Sequence, residues 1–201
     1  MFTKKQIAEF FATFFYIGKI KYCPGTFGSL AAFPLCYVVM YFIITSKIIF
    51  SFPALTLGEA QLITLFIITF GVWVILLVFS SYFTKIYIEY TGREDPQEVV
   101  IDEVVGQMLT LILCFFSVVF VNESNIIKYL SPLKINLIVL FILPFCLFRI
   151  FDIIKPWPIN WLDRNIHGAT GVMLDDIVAA IFAAVVQYAI IFVLIDWFIS
   201  Q

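Results

Sequence analysis

Two pairs of adjacent acidic residues stand out in a chain that carries little charge. Asp102 and Glu103 come directly before one long apolar run, and Asp175 and Asp176 come directly before another. Adjacent carboxylates repel each other unless a cation lies between them. Their oxygens are hard ligands that suit Mg²⁺, which is often bound beside a substrate phosphate. The pairs therefore predict a magnesium site; the simpler alternatives are a solvated pair and a helix cap at the ends of the apolar runs.

A third group of charged residues lies in the segment "FRIFDIIKPWPINWLDRN". Arg149 and Asp152 stand three residues apart, so a helix would place them on one face. The prolines that follow Lys155 end this helix and stiffen the chain, which holds Lys155 at a fixed position. Arg149, Lys155 and Arg164 are candidate phosphate-binding residues. The simpler interpretation gives the arginines a boundary role and pairs Asp163 with Arg164 on the surface.

The segment "YCPGTFGSLAAFPL" contributes hydroxyl groups. Pro24, Gly25 and Gly28 predict a tight turn of small residues, and Thr26 and Ser29 follow near the start of a helix. The free N–H groups of a helix N-terminus bind anions. Thr26 and Ser29 are therefore candidate phosphate ligands, although an ordinary turn with an N-cap would have the same sequence.

The residues before the first acid pair are typical of a helix start. Asp95 would be the N-cap, Pro96 the first helical residue and Glu98 the third, which gives Asp95 and Glu98 capping roles. Asp102 and Glu103 would then lie about a turn and a half into the helix.

The residues around the second pair predict a loop and a close helix contact. Gly168 and Gly171 predict a mobile or tightly turned loop before Asp175. After Asp176, small residues spaced four apart allow a neighbouring helix to approach closely; they are the pairs Ala179/Ala183 and Ala180/Ala184.

The composition identifies the elements that must position these groups. The chain is 63% hydrophobic and 18% aromatic, whereas soluble domains are about 45–50% apolar. This composition excludes a soluble globular protein and predicts a single all-α domain that covers residues 1–201. The domain would be a polytopic bundle of about five transmembrane helices, preceded by an N-terminal segment that lies at the membrane interface. The predicted spans are Leu30–Ile44, Leu62–Tyr82, Val104–Val121, Ile135–Phe148 and Ile177–Ile195.

The basic residues predict how the bundle is oriented. With the N-terminus in the cytoplasm and five crossings, nine basic residues lie inside and three outside, which agrees with the positive-inside rule. The inside residues are Lys4, Lys5, Lys19, Lys21, Lys85, Arg93, Arg149, Lys155 and Arg164, and the outside residues are Lys47, Lys128 and Lys134. All three polar segments then fall on the cytoplasmic face.

The polar segments resemble those of the phosphatidylglycerophosphatase A family of bacterial membrane enzymes. That family carries a "PGTxGSLxA" block, a "DE" block before an apolar helix, and a block "FRxxDxxKPxPIxxxDRxxHGGxGIMxDDxxAG"; here they are Pro24–Ala31, Asp102–Gly106 and Phe148–Ala180. Ala169 and Ala180 stand where the family has glycine. The resemblance implies a Mg²⁺-dependent phosphatase of the bacterial inner membrane. Its substrate would be the phospholipid phosphatidylglycerophosphate, converted on the cytoplasmic side to phosphatidylglycerol and phosphate.

These inferences lead to a set of predicted roles. The metal ligands are Asp102, Glu103, Asp175 and Asp176, and the catalytic residues are Asp152, Lys155, Asp175 and Asp176. Asp152 is a further ligand or the base, and Lys155 and Arg149 offset charge in the transition state. A water molecule activated by the ion or an aspartate is the nucleophile. His167 either protonates the leaving oxygen or is an ordinary hydrogen-bonding residue.

Two rival designs fit the sequence less well. Lipid phosphatases with a histidine nucleophile need a second histidine, and this chain has only His167. A small carboxylate-based ion or proton transporter is the alternative function, because it also needs membrane carboxylates. Its acids belong near the midplane, where the apolar runs contain only Gln107 and Gln187, with Asp196 at the far end. Nucleic acid is not an expected partner.

Overall fold

The computed structural model describes residues 3–124 and 131–199, and this part of the chain forms helices without a strand. The all-α prediction is therefore confirmed. Lys128, one of the basic residues assigned to the outer side, is not among the described residues. A 3₁₀ turn covers Ile17–Lys19 and a π-helical turn covers Ile138–Ile142. The α-helices are α1 (Lys4–Ala12), α2 (Pro24–Thr45), α3 (Leu57–Thr91), α4 (Ile101–Cys114), α5 (Ser117–Glu123), α6 (Pro132–Leu137), α7 (Leu143–Ile154), α8 (Ile159–Asn165) and α9 (Gly168–Ile199).

Five helical segments of the described chain are long and apolar enough to cross a membrane, as predicted. They are Pro24–Thr45, Leu57–Thr91, Ile101–Asn122, Pro132–Ile154 and Gly168–Trp197. Each extends beyond its predicted apolar run at both ends. The polar residues at the ends continue the helices because many of them face other helices or a cavity, where apolar character is not required.

The N-terminal segment forms a helix that packs on α3. A capping box at Thr3 and Gln6 begins α1, and Ala8 and Ala12 are fully buried. The ring of Phe11 lies 4.8 Å from the ring of Phe79, measured between centroids. The predicted helix is present, and its position at a membrane surface stays a prediction.

The third span lies at the centre of the bundle. Every residue of α4 is buried except the partly exposed Asp102, Glu103 and Leu113. The indole Nε1 of Trp73 in α3 donates to the carbonyl of Val105 at 2.9 Å. Interhelical hydrogen bonds and close van der Waals packing are what hold membrane helices together, and α4 is the common surface for this packing.

The predicted close contact at α9 is present. Ala179, Ala180 and Ala183 are fully buried, and Ala184 is nearly so. On α4, Gly106 provides the matching small residue, since a Cβ there would lie 2.9 Å from Cβ of Asp176. The two helices that carry the acid pairs therefore approach at the level of those pairs.

The predicted helix start at Asp95 is wrong, because α4 begins at Ile101. The backbone N–H of Val100 donates to the carbonyl of Ala12 at 3.2 Å, which ties this segment to α1. Glu98 does not cap a helix; its carboxylate accepts hydrogen bonds from Arg93 and from Tyr87 Oη. Asp102 and Glu103 consequently lie in the first turn of α4.

Two predicted loops are also helical. The small-residue turn at Pro24–Gly28 is the first turn of α2, and Gly168 and Gly171 belong to the start of α9. Gly171 is needed for packing, because a Cβ there would overlap the carbonyl oxygen of Ile166.

Candidate active site

A cavity of about 430 Å³ lies at one end of the bundle, where α2, α4 and α9 begin and α7 ends. Its wall contains most of the residues that the sequence singled out: Thr26, Asp102, Glu103, Arg149, Asp152, Lys155, His167, Asp175 and Asp176. Segments that are far apart in the sequence therefore meet in one place.

Three of the four paired acids form one close cluster, and the fourth, Asp175, pairs with Lys155 beside it. Asp102, Glu103 and Asp176 each place a carboxylate oxygen within 4.8 Å of the other two. Asp175 and Asp176 are only 8% and 3% exposed. One buried oxygen on each acid lacks a hydrogen-bond partner in the protein: Asp102 Oδ1, Glu103 Oε2, Asp175 Oδ1 and Asp176 Oδ1.

This cluster fits a bound cation. An ionised carboxylate within a membrane costs about 2.5–3.5 kcal/mol on insertion scales, and like charges add to this cost. The close group of Asp102, Glu103 and Asp176, each with a buried oxygen that lacks a protein partner, offers the hard donors that Mg²⁺ prefers. The position of Asp102 and Glu103 in the first turn of α4 is also favourable, because the positive end of the helix dipole stabilises negative charge there.

Arg149 is held between α2 and α7. Its Nη1 lies 2.6 Å from Oδ2 of Asp152, three residues further along α7 as predicted, and donates to Ser29 Oγ at 3.2 Å. The Ser29 hydroxyl donates in turn to the carbonyl of Gly25. Ser29 is fully buried and does not line the cavity. In this structure Ser29 contacts Arg149 rather than the cavity, contrary to the phosphate-binding prediction, and Thr26 lines the wall.

Lys155 lies between two carboxylates. It ends α7 in a left-handed conformation, with φ 45° and ψ 60°, and its Nζ is 2.6 Å from Asp175 Oδ2 and 2.5 Å from Asp163 Oδ1. Partial burial disfavours the ammonium, but the hydrogen bonds to Asp163 and Asp175 outweigh burial and raise the pKa of Lys155 above its ordinary value of 10.5. The side chain is therefore a permanent cation in the cavity wall.

Arg164 and Asp163 differ from their predicted roles. Arg164 is exposed and does not line the cavity wall. Its phosphate-binding role is not supported. Asp163 pairs with Lys155 and not with Arg164, a contact across the proline turn that sequence spacing did not indicate.

His167 lies at the edge of the cavity. Its side chain is 61% exposed, and Nδ1 is 3.8 Å from Oε2 of Glu94, which is itself 80% exposed. Glu94, Asp95 and Gln97 also line the wall. These polar side chains make the rim distinct from the buried acid cluster.

Gly25 allows α2 to approach the acid cluster. A Cβ at this position would overlap Glu103 Oε1 and lie 3.1 Å from Glu103 Cδ and 3.3 Å from Arg149 Nη1. The sequence signal was the repeated glycine in "PGTFGS", which indicated a turn. The glycine is required because a carboxylate occupies the space of its missing side chain.

A family model and two of the relatives reported below indicate one family. The family model described as phosphatidylglycerophosphatase A matches residues 10–191. The phosphatidylglycerophosphatase A of Escherichia coli K12 is 31% identical over 167 residues, which cover 83% of this chain and 73% of that protein. A proposed phosphatidylinositol-3-phosphatase of Bacteroides thetaiotaomicron is 30% identical over 171 residues, 85% of each chain.

A third relative matches over a shorter segment and with a higher sequence identity. The phosphatidylglycerophosphatase A of Haemophilus influenzae is 50% identical over 46 residues, which cover 23% of this chain and 28% of that protein. No solved structure matches the chain at a significant level.

Proposed function

The chain belongs to the phosphatidylglycerophosphatase A family, and on that premise we propose that it hydrolyses phosphatidylglycerophosphate to phosphatidylglycerol and phosphate. The observation that carries this proposal is the cavity itself. Acids from α4, α7 and α9 meet two side-chain cations at one end of a membrane-spanning bundle. A lipid phosphate suits this position, because its headgroup can enter a charged cavity while its acyl chains stay beside apolar helices.

We assign Mg²⁺ as the cofactor, with Asp102, Glu103, Asp175 and Asp176 as the residues that hold it. The unpartnered buried oxygens support this assignment, as does a donor set of carboxylates without thiol or imidazole. When bound, the ion would polarise a phosphoryl oxygen and lower the pKa of a water molecule. Asp152 is a further ligand or the base.

The cations of the wall would stabilise the transition state. Negative charge builds on the equatorial oxygens as phosphate is transferred, and fixed positive groups offset this charge. Arg149 is fixed by Asp152 and Ser29, and Lys155 is fixed by Asp163 and Asp175. These partners hold both cations at defined positions in the cavity wall, and Lys155 contacts the acids directly through Asp175.

The reaction forms one bond to phosphorus and breaks another. The oxygen of water bonds to phosphorus and gives up a proton to a base, for which Asp152 is the candidate. The bond from phosphorus to the glycerol oxygen breaks, and that oxygen takes up a proton. His167 at the cavity rim is a candidate proton donor. An aspartyl-phosphate formed by one of the acids is the alternative route.

We propose that the cavity faces the cytoplasm across the bacterial inner membrane. The support is the bias of basic residues toward the loops at this end of the bundle; all nine residues assigned to the inner side are among the described residues. The transporter alternative loses support, because no carboxylate lies near the midpoint of the five described spans.

The test measures phosphate release by purified full-length protein from phosphatidylglycerophosphate. Phosphatidylinositol 3-phosphate is the comparison lipid, since one relative carries a description of that activity. We expect release from phosphatidylglycerophosphate with Mg²⁺, loss of release on chelation, and no release by Asp175→Asn. Arg164→Gln is the matched control and should retain activity.

Different outcomes would refute different parts of the proposal. Undiminished release after complete chelation would refute the magnesium assignment. Preference for phosphatidylinositol 3-phosphate would refute the substrate, and full activity in Asp175→Asn would refute the placement of the site.

A further inference from the structure

Two glutamines lie deep in the described spans, and their side-chain amides differ in their hydrogen-bond partners. Gln107 and Gln187 are both 0% exposed. Gln187 Nε2 donates to Ser117 Oγ at 2.9 Å and to the carbonyl of Val139 at 2.8 Å, although its Oε1 lacks a partner. Neither amide atom of Gln107 has a protein partner. Buried polar side chains nearly always have a partner, either protein or ordered water, so the amide of Gln107 requires an explanation.

The position of Gln107 on α4 supplies that explanation. It follows Glu103 by four residues, so the two side chains lie on one helix face with Cβ atoms about 5–6 Å apart. Glu103 Oε2 is also buried without a protein partner. A buried water molecule is held by two to four polar groups (about three on average), and an amide beside a carboxylate provides them.

We propose that Gln107 is a positioning residue for the active site. A water molecule held by its amide donates a hydrogen bond to Glu103 Oε2 and fixes the orientation of this carboxylate. The other oxygen, Oε1, is confined by the backbone of α2 at Gly25. Glu103 is thereby held on both sides, with Oε1 confined by packing and Oε2 fixed by a hydrogen bond.

This inference rests on the proposed function, because it treats Glu103 as a metal ligand. Groups that orient a ligating carboxylate are part of the site although they do not touch the ion or the substrate. Their removal typically costs about 10–100-fold in metal affinity or activity.

A purely structural glutamine would behave differently on substitution. Methionine has a similar length and no hydrogen-bonding amide, so Gln107→Met removes two unpartnered polar atoms from an apolar environment. Such a change is nearly neutral or stabilising when no bond is lost. A structural role thus predicts unchanged turnover, whereas a positioning role predicts reduced turnover in a protein that is equally stable.

The experiment compares Gln107→Met with Gln187→Met in the full-length protein in one detergent. Three quantities are measured: kcat and KM for phosphate release, the melting temperature in chelator, and the rise in melting temperature on adding Mg²⁺. For Gln107→Met we expect a kcat lowered by about 10–100-fold, little change in KM, a melting temperature in chelator close to that of the wild type, and a smaller magnesium response. For Gln187→Met we expect a lower melting temperature with the wild-type kcat.

The outcomes separate this inference from the proposed function. If the wild type is active and Gln107→Met keeps both its kcat and its magnesium response, the inference is wrong and the proposed function stands. A fall in melting temperature like that of Gln187→Met, with normal turnover, would also overturn it. If the wild type releases no phosphate, the proposed function fails, and the magnesium response alone decides the role of Gln107.

Discussion

Replacing Gly25 with alanine would test how closely α2 must approach the acid cluster. The new Cβ would overlap Glu103 Oε1 and press on Glu103 Cδ and Arg149 Nη1, at 3.1 and 3.3 Å. Backbone atoms are not among these neighbours. The flexible end of Glu103 can therefore swing aside, and the fold should tolerate the methyl group while the carboxylate leaves its position.

The expected loss of turnover follows from how far the Glu103 carboxylate must move. Relieving the overlap requires a shift of about 1 Å, and a misplacement of this size can cost about 100-fold in rate. This corresponds to about 2.7 kcal/mol of transition-state stabilisation. Stability should change in the opposite direction, since alanine is favoured over glycine within a helix by about 1 kcal/mol or less. Gly25→Ala should therefore be folded and nearly inactive.

Phosphate release and thermal unfolding measured on the same preparation check this prediction. Gly71→Ala in α3 is the matched control, because a Cβ at Gly71 meets no atom within 4 Å. We expect Gly71→Ala to match the wild type in turnover. A Gly25→Ala protein with more than half of wild-type activity would refute the reasoning, because turnover would then not depend on the observed position of the Glu103 carboxylate.

Three further predictions concern the charged residues around the site. Burial opposes ionisation of Glu98, but its arginine and tyrosine partners outweigh burial and lower its pKa below 4.5; its contribution to stability is therefore present above that pH and lost below it. The difference in melting temperature between wild type and Glu98→Gln should shrink as the pH falls below 4.5. A difference that stays constant would show that the Glu98 carboxylate does not stabilise the fold through these partners. Lys155→Met leaves Asp175 buried without its cation and should cost about 3–5 kcal/mol, whereas Asp163→Asn removes a partly exposed partner and should cost about 1 kcal/mol or less. Both are measured by unfolding in chelator, and equal losses would show that burial of Asp175 does not matter. Arg164→Gln should change stability by no more than about 0.5 kcal/mol and leave turnover intact. A large loss of activity would show that Arg164 does take part in substrate binding or catalysis.

The sequence predicted those features that depend on local spacing and on total apolar length. Five spans followed from long runs of apolar residues. The ion pair between Arg149 and Asp152 followed from their separation by three residues on one helix. The meeting of Asp102 and Glu103 with Asp175 and Asp176 followed from counting crossings, because each pair stands at the same end of its span.

Contacts between distant segments could not be predicted in this way. Ser29 and Arg149 are 120 residues apart, and their contact depends on how α2 packs against α7. Asp163 reaches Lys155 only because the chain folds back after the proline turn. The helix starts were placed wrongly for a related reason: residues 94–100 are held by α1 and α3, so local capping preferences were overridden by tertiary contacts.

The separation of the acids along the chain has a consequence for biosynthesis. Asp102 and Glu103 are translated well before Asp175 and Asp176, which lie on the last described helix. A nascent chain that stops between Glu103 and Asp152 carries the first acid pair but lacks Asp152, Lys155, Asp175 and Asp176. Incomplete chains would then not hydrolyse membrane lipids, and phosphatase activity would begin only when the final helix packs against the rest of the bundle.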